Sequence, residues 1–305
     1  MSVQTTTPTT PRPNVRERDG AYRDRSTGLY RLRLRAGATL YYIIVTALAV
    51  IYLIPLGWVL STSFRTSANV FDPTQWIPHP FTVAHYPGVF QDLPNLGTYF
   101  INTVRIAVLT MVGQLLSCSM AGYALARLRF PGRGLVFFIL LLTLMVPGQV
   151  TIIPVYVLFR TLGWINTPLP MIVPAFFGNA FATFFFRQFF MGIPRELEEA
   201  AFLDGASRWR IYRSIIVPVS KPPFMALGLI TFVNGWNSYF NAAVFLQTEN
   251  QWILTQGLLS LIGQYASQWG EIMAGVVLMS LPIFVLYLVV QRHFVQGFTF
   301  AGITG

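Results

Sequence analysis

The chain has few charged residues and only one cysteine. Charged residues make up 10% of its 305 residues, and Cys118 and Lys221 are each the single residue of their type. Soluble domains carry about 25% charged residues, so this composition excludes an ordinary soluble globular protein. A single cysteine excludes an internal disulfide framework and any site built from several thiolates.

The chain also lacks the short motifs that identify common catalytic sites. No glycine-rich phosphate loop precedes Lys221, and neither a His-Glu-x-x-His nor a Gly-x-Ser-x-Gly motif occurs. His79 and His85 stand without a nearby carboxylate cluster, which argues against a metal site. We therefore predict a protein that is not an enzyme, has no catalytic residue, and binds no metal or cofactor itself.

Long apolar segments are what the sequence has in abundance. Apolar residues make up 54% of the chain, and the mean hydropathy is +0.55. Six runs are long enough to cross a bilayer of about 30 Å. They cover residues 39–64, 99–126, 135–159, 169–186, 224–246 and 272–290. The pattern predicts an all-α polytopic membrane protein with six transmembrane helices.

The basic residues are distributed unevenly between the two sides of these runs. If the N-terminus lies inside, eighteen Lys and Arg residues fall in cytoplasmic segments, and only Arg65 and Arg160 fall outside. This bias predicts that both termini are cytoplasmic. Residues 1–38 are predicted to form a disordered basic tail, and residues 39–305 the transmembrane domain. The basic residues that give the net charge of +10 then lie beside the anionic cytoplasmic leaflet, so this charge does not indicate binding to nucleic acid.

One polar stretch, residues 187–223, separates the fourth and fifth apolar runs; we call it the polar loop. Glu196, Glu198 and Glu199 begin a helical pattern, where carboxylates favour the positive end of the helix dipole. Asp204 and Gly205 are expected to end it, because glycine allows turns that other residues resist. A second short amphipathic pattern follows.

The polar loop resembles a known motif. Glu199-Ala200-Ala201, then three residues, Gly205, nine residues and Ile215, followed by Val217-Pro218, is similar to the EAA loop of ABC importer permease subunits. The Asp204-Gly205-Ala206 triplet narrows the resemblance to carbohydrate-type, maltose-permease-like members of the binding-protein-dependent transport family. Val217 stands where this family usually has leucine. The resemblance covers residues 40–305.

The resemblance implies a type I ABC importer permease fold in a bacterial or archaeal plasma membrane, with a cytoplasmic coupling helix between spans four and five. The expected ATPase-docking residues are Glu199, Ala200, Ala201, Asp204, Gly205 and Ala206. The implied partners are a second homologous permease, two copies of a cytoplasmic ATPase that binds ATP–Mg, an extracytoplasmic solute-binding protein and a sugar or related solute. From the residues alone, an amphipathic helix lying in the lipid headgroups remains the alternative.

Polar and aromatic groups inside the apolar runs are candidates for a translocation path. These are Asn102, Arg105, Asn179, Asn234, Trp236, Asn237 and Tyr239, with Gln114 and Asn241 as further polar residues. Trp236-Asn237 and Tyr239 are similar to an aromatic–asparagine signature of the family. Interhelical hydrogen bonds explain each asparagine equally well, and Arg105 can instead extend its guanidinium to the headgroups.

Two other classes of membrane protein compete with the importer. An ion-driven secondary transporter needs buried acids in mid-span, whereas Asp and Glu here lie only in loops or near span ends. A membrane-embedded hydrolase needs paired histidines or acids at one depth, and none occurs. The sequence therefore favours the importer permease and leaves the identity of the sugar open.

Overall fold

A computed structural model describes residues 15–70, 72, 74–264 and 268–301. Within these residues the regular structure is helical, apart from one isolated bridge between Arg65 and Phe81. An all-α architecture agrees with the prediction from the long apolar runs. It also follows from the physics of lipid, in which a helix satisfies its backbone hydrogen bonds internally.

Fourteen α-helices follow one another in the described residues. They are α1 (Val15–Ser63), α2 (His85–Asp92), α3 (Leu96–Arg127), α4 (Arg133–Thr143), α5 (Gly148–Thr161), α6 (Leu169–Ile172), α7 (Ala180–Met191), α8 (Glu196–Leu203), α9 (Arg208–Ile211), α10 (Val217–Val219), α11 (Lys221–Trp236), α12 (Tyr239–Phe245), α13 (Leu254–Gln264) and α14 (Trp269–Ala301). A 3₁₀ turn, Val173–Phe177, follows α6, and a π-helical segment, Tyr212–Ile216, joins α9 to α10.

Four helical segments of the described chain are long and apolar enough to cross a membrane. They are Gly37–Ser63, Leu96–Arg127, Leu169–Met191 and Trp269–Val289. Two bent pairs, α4 with α5 and α9–α10 with α11, raise the number to six if each pair is one span. The structure thus supports four to six spans.

Three of the predicted runs are broken into separate helices, and in one of them, 169–186, the break is at Gly178 and Asn179, between the 3₁₀ turn and α7. The axes of α4 and α5 differ by 99°, with Pro147 preceding Gly148 at the break. Proline lacks an amide donor and clashes with the preceding turn, so it ends the helix there. The predicted run 224–246 likewise contains α11 and α12, which are separated at Asn237 and Ser238. Hydropathy averages over such breaks and cannot detect them.

Helix α1 extends on both sides of residue 39, at which the sequence predicts the start of the transmembrane domain. Helix α1 begins at Val15, inside the predicted tail, and residues 1–14 lie outside the described residues. Extending an existing helix adds one hydrogen bond for each residue fixed, so helical conformation can continue beyond an apolar run. Proximity between residues divides the chain into two units, Met1–Trp58 and Val59–Gly305.

Helix α3 is the centre of the second unit and packs most extensively against α7 and α11. It approaches α7 closely at Gly122, where an added Cβ would lie 2.8 Å from the Phe186 Cβ and 3.0 Å from the Arg187 backbone nitrogen. Small residues let membrane helices approach in this way. The fully buried Cys118 and Phe186 belong to the same core, so the thiol of Cys118 is packed among apolar side chains.

The buried His85, in the segment before α3, contacts the protein backbone. The ring Nε2 of the buried His85 lies 2.7 Å from the carbonyl oxygen of Arg65, and the buried Arg65 donates to the carbonyl oxygens of Val70 and Asp72. Hydrogen bonds from Thr74 lower the pKa of the Asp72 carboxyl. The described residues hold no group of three His, Cys, Asp or Glu that could bind a metal.

Candidate functional site

The first helix of the polar loop begins with acidic residues and ends on a glycine turn. Helix α8 has three glutamates in its first turn and ends at Leu203. Gly205 follows with φ +76°, and its N–H donates to the Phe202 carbonyl while the Ala206 N–H donates to the Ala201 carbonyl, both at 3.0 Å. This pair of bonds is a Schellman C-cap, which favours glycine at the left-handed position. Gly205 therefore sets the direction in which the chain leaves α8.

The second half of the polar loop is hydrogen-bonded to α3. The Ser207 Oγ accepts from the Arg210 N–H at 3.3 Å and caps α9. In the π-helical segment that follows, the Tyr212 hydroxyl lies 2.7 Å from the Ser119 hydroxyl of α3. Short π-helical segments inside helices are frequent at functional sites. This one places Tyr212 in the core beneath the loop.

The polar loop has one packed face and one exposed face. Ile211 and Ile216 are fully buried, and Ala201 and Ala206 pack against the same core. By contrast, Phe202 and Leu203 are 58% and 87% exposed. Large apolar side chains grouped on a polar segment mark interaction surfaces. We call the exposed group Leu197, Ala200, Phe202 and Leu203 the apolar tip.

The six predicted docking residues lie together on α8 and its terminal turn. Glu199, Ala200, Asp204 and Gly205 are exposed, whereas Ala201 and Ala206 are half-buried. All six therefore reach the surface of this chain at least in part, and Ala201 and Ala206 also pack against its core.

A buried ion pair that sequence reasoning missed anchors this loop. The Arg127 Nε of α3 lies 3.0 Å from the Glu198 Oε1 of α8, and the two side chains are 4% and 8% exposed. The sequence contains one signal for this ion pair. Helix periodicity places Glu198 on a different face of α8 from its neighbour Glu199.

A cleft of about 670 Å³ lies beside α3, among α5, α7, α11 and α12. Its polar lining consists of amides and hydroxyls, which are Thr110, Gln114, Thr151, Asn179, Thr231, Asn234, Ser238 and Asn241. Four of these, Gln114, Asn179, Asn234 and Asn241, are polar residues that the sequence singled out for a path. Amides and hydroxyls both donate and accept hydrogen bonds, as a polyhydroxylated solute requires.

The other predicted path residues are not among those that line this cleft. Asn102 donates to the carbonyl oxygens of Asn250 and Trp252 at 3.0 Å, so it holds a loop in place. Trp236 is buried, and Asn237 donates to Val233 one turn earlier in its own helix. Arg105 and Tyr239 are exposed. The aromatic–asparagine signature therefore packs and caps α11, while the cleft is lined by its neighbours.

The loop before α13 is anchored to the start of α3. Glu249 Oε1 accepts from the Tyr99 hydroxyl at 2.6 Å and from the Asn95 amide at 2.9 Å. These hydrogen bonds favour the carboxylate and lower the pKa of Glu249. Their stabilising effect is present above the ordinary carboxyl pKa and is lost as the pH falls through the lowered value.

Comparison with known proteins matches most of this chain. The family model of the binding-protein-dependent transport system inner membrane component matches residues 113–300. The arabinooligosaccharides transport system permease protein AraQ of Halalkalibacterium halodurans is 32% identical, over 85% of this chain and 93% of its own. The sn-glycerol-3-phosphate transport system permease protein UgpE of Pectobacterium atrosepticum is 34% identical, over 84% and 92%.

A solved structure agrees with these relatives. It is a bacterial ABC transporter involved in the import of the acidic polysaccharide alginate, and one of its chains superposes with a TM-score of 0.75 and 26% identity. The match covers 85% of this chain and 97% of that one. These findings confirm the resemblance and favour the importer over the ion-driven alternative. The chain belongs to the family of binding-protein-dependent transport system inner membrane components: it is an ABC importer permease subunit of the carbohydrate type, a multi-pass plasma membrane protein and not an enzyme.

Proposed function

We propose that this chain crosses the membrane six times with both termini in the cytoplasm and forms, with a second homologous permease, the translocation path for a sugar or related solute. Two copies of a cytoplasmic ATPase bind and hydrolyse ATP–Mg, and an extracytoplasmic solute-binding protein delivers the solute. This chain itself binds no cofactor. The ATPase docks on the polar loop at Glu199, Ala200, Ala201, Asp204, Gly205 and Ala206.

The observation that carries this proposal is the form of the polar loop. The apolar tip projects from a segment whose other face is packed against α3, and a left-handed glycine fixes the angle between α8 and α9. Such a two-helix knob suits insertion into a groove of a partner protein, as in other helix-in-groove interactions. A helix lying in lipid headgroups would not require a fixed turn of this kind.

The lining of the cleft supports a polyhydroxylated solute. Eight amide and hydroxyl side chains surround about 670 Å³, the size range of small-molecule sites. Relatives are named for transport of arabinooligosaccharides, sn-glycerol-3-phosphate and sulfoquinovosyl glycerol. We infer that the solute of this chain is a sugar or sugar-like molecule, and that Asn179 and Asn234 contribute to its path.

The mechanism that follows is alternating access. Closure of the ATPase dimer around ATP displaces the polar loop, and the membrane helices respond by opening the cleft towards the outside. Hydrolysis reverses the movement. ATP can drive this change because it binds the closed form of the ATPase dimer more tightly than the open form, and that difference in affinity shifts the equilibrium between the two states.

Replacing Ala200 with tryptophan is expected to release the ATPase from the purified complex. Ala200 is exposed on α8, so a large side chain is tolerated in this chain but prevents close approach of a partner. Co-purification of the ATPase in detergent measures the effect, which we expect to be about tenfold or more, the loss caused by roughly 1.4 kcal/mol. Ala84→Trp, at an exposed position in the predicted outer segment, is the matched control. Undiminished retention of the ATPase in Ala200→Trp would refute docking at this surface.

The proposed orientation predicts a labelling pattern for single cysteines. Cys118 is fully buried, so the parent protein has little background reaction with a thiol reagent. A cysteine at the exposed Val83 should react with an impermeant reagent in intact cells, whereas one at the exposed Arg129 should react only after permeabilisation. The reverse pattern contradicts the proposed orientation.

A further inference from the structure

One arginine at the end of α3 joins three elements of the structure. Its Nε lies 3.0 Å from the Glu198 Oε1 of α8, and its Nη2 donates to the carbonyl oxygens of Phe190, in the last turn of α7, and of Ile193, just beyond that helix. The last carbonyls of a helix have no partner within the helix and need such donors. The planar guanidinium of Arg127 can serve both at once, which a lysine ammonium does less well.

The Glu198 carboxylate extends this connection to the polar loop. Its Oε1 faces Arg127, and its Oε2 lies 4.0 Å from Arg208 Nη1 at the start of α9. The carboxylate therefore pairs α8 with α3, while the half-exposed Arg208 stands only at the limit of ion-pair distance. A buried ion pair is a weak source of stability, since apolar residues of similar size often do as well. Stability alone therefore gives little reason for this arrangement.

Helix α3 continues from this pair to the cleft. About two turns before Arg127 along α3, the Ser119–Tyr212 hydrogen bond makes a second connection to the loop, and Gly122 allows close backbone contact between α3 and α7. Further along the same helix, Thr110 and Gln114 line the cleft. A continuous helix of 32 residues, Leu96–Arg127, thus runs from the polar loop to the cleft.

We propose that Arg127 is a positioning residue for coupling: through Glu198 it makes α3 move with the polar loop, so that displacement of the loop reaches the cleft. The inference rests on the proposed function of the loop. Arg127 touches neither solute nor nucleotide in this role. Without the pair, the ATPase still docks on the apolar tip, but the movement of the loop is no longer passed to α3.

The test uses the full importer, with its partner permease, ATPase and binding protein, in proteoliposomes. Arg127→Met leaves Glu198 buried without its partner and can prevent folding, so the informative variant is Arg127→Met with Glu198→Gln. It should insert and retain the ATPase like the wild type. Solute uptake per assembled complex should fall by about tenfold or more, a typical size for coupling between sites. ATP hydrolysis should persist without responding to the loaded binding protein.

The exposed Arg129, two residues further along, provides the matched control. Arg129→Met should retain wild-type uptake, ATPase retention and stimulation. Wild-type uptake in the double variant would overturn the inference, as would a fall in ATPase retention parallel to the fall in uptake, because that result indicates a purely structural role. An absence of ATPase from the wild-type complex would instead reject the proposed function itself.

Discussion

Gly205→Val is expected to lower solute uptake about tenfold or more, while the protein still inserts into the membrane. The backbone at Gly205 has φ +76°, and a left-handed conformation costs an L-residue roughly 1–2 kcal/mol, with β-branched residues tolerating it least. An added Cβ there meets no atom of the described chain within 4 Å, so the effect comes from the backbone and not from a clash. The valine variant should lose the Schellman turn and misdirect α9 relative to α8.

Gly205→Asn is the matched control for this prediction. Asparagine is the residue that most often replaces glycine at this position of a helix C-cap, because it tolerates the left-handed region. Uptake in reconstituted vesicles should therefore stay near the wild-type level for asparagine and fall for valine. Equal uptake in the two variants would show that the angle between α8 and α9 does not matter for transport.

Gly122→Leu is expected to prevent stable folding of the membrane domain. An added Cβ at Gly122 would lie 2.8 Å from the Phe186 Cβ, 3.0 Å from the Arg187 backbone nitrogen and 3.2 Å from the Thr183 carbonyl oxygen. Two of these atoms belong to the backbone of α7, so no side-chain rotation relieves the contact. Overpacking usually costs about 1–3 kcal/mol, and separation of α3 from α7 adds the loss of their shared core.

The amount of protein in the membrane and its thermal stability in detergent measure this effect. Gly134→Leu is the control, because Gly134 lies in α4 and an added Cβ there meets nothing within 4 Å. We expect Gly134→Leu to accumulate at the wild-type level and Gly122→Leu to be largely lost. Normal accumulation of Gly122→Leu would mean that α3 and α7 are not in close backbone contact.

The positions of the short helices in the polar loop could be predicted from local chemistry. The glutamates before Leu203, the break at Gly205 and the second amphipathic segment are each determined by residues within a few positions of one another. Dipole, capping and turn preferences act over that distance. The two short helices therefore lie where the sequence places them.

The composition of the cleft was predictable only in part. Hydropathy identifies Asn179 and Asn234 as polar groups within apolar runs, but it does not indicate which polar groups share one space. Asn102 and Asn237 have the same sequence character and instead bind backbone carbonyls. The difference depends on the direction each side chain takes, which follows from helix rotation and from the breaks near Pro147 and Ser238.

By itself, the sequence determined the helical class, the apolar segments and the polar loop with its glycine turn, because composition, hydropathy and turn chemistry depend on each residue and its near neighbours. Only the tertiary structure decided that Arg127 pairs with Glu198 and that Ser119 meets Tyr212. These partners are separated by 71 and 93 positions in the chain. The close packing of α3 on α7 brings them together, and no local preference of either residue contains that information.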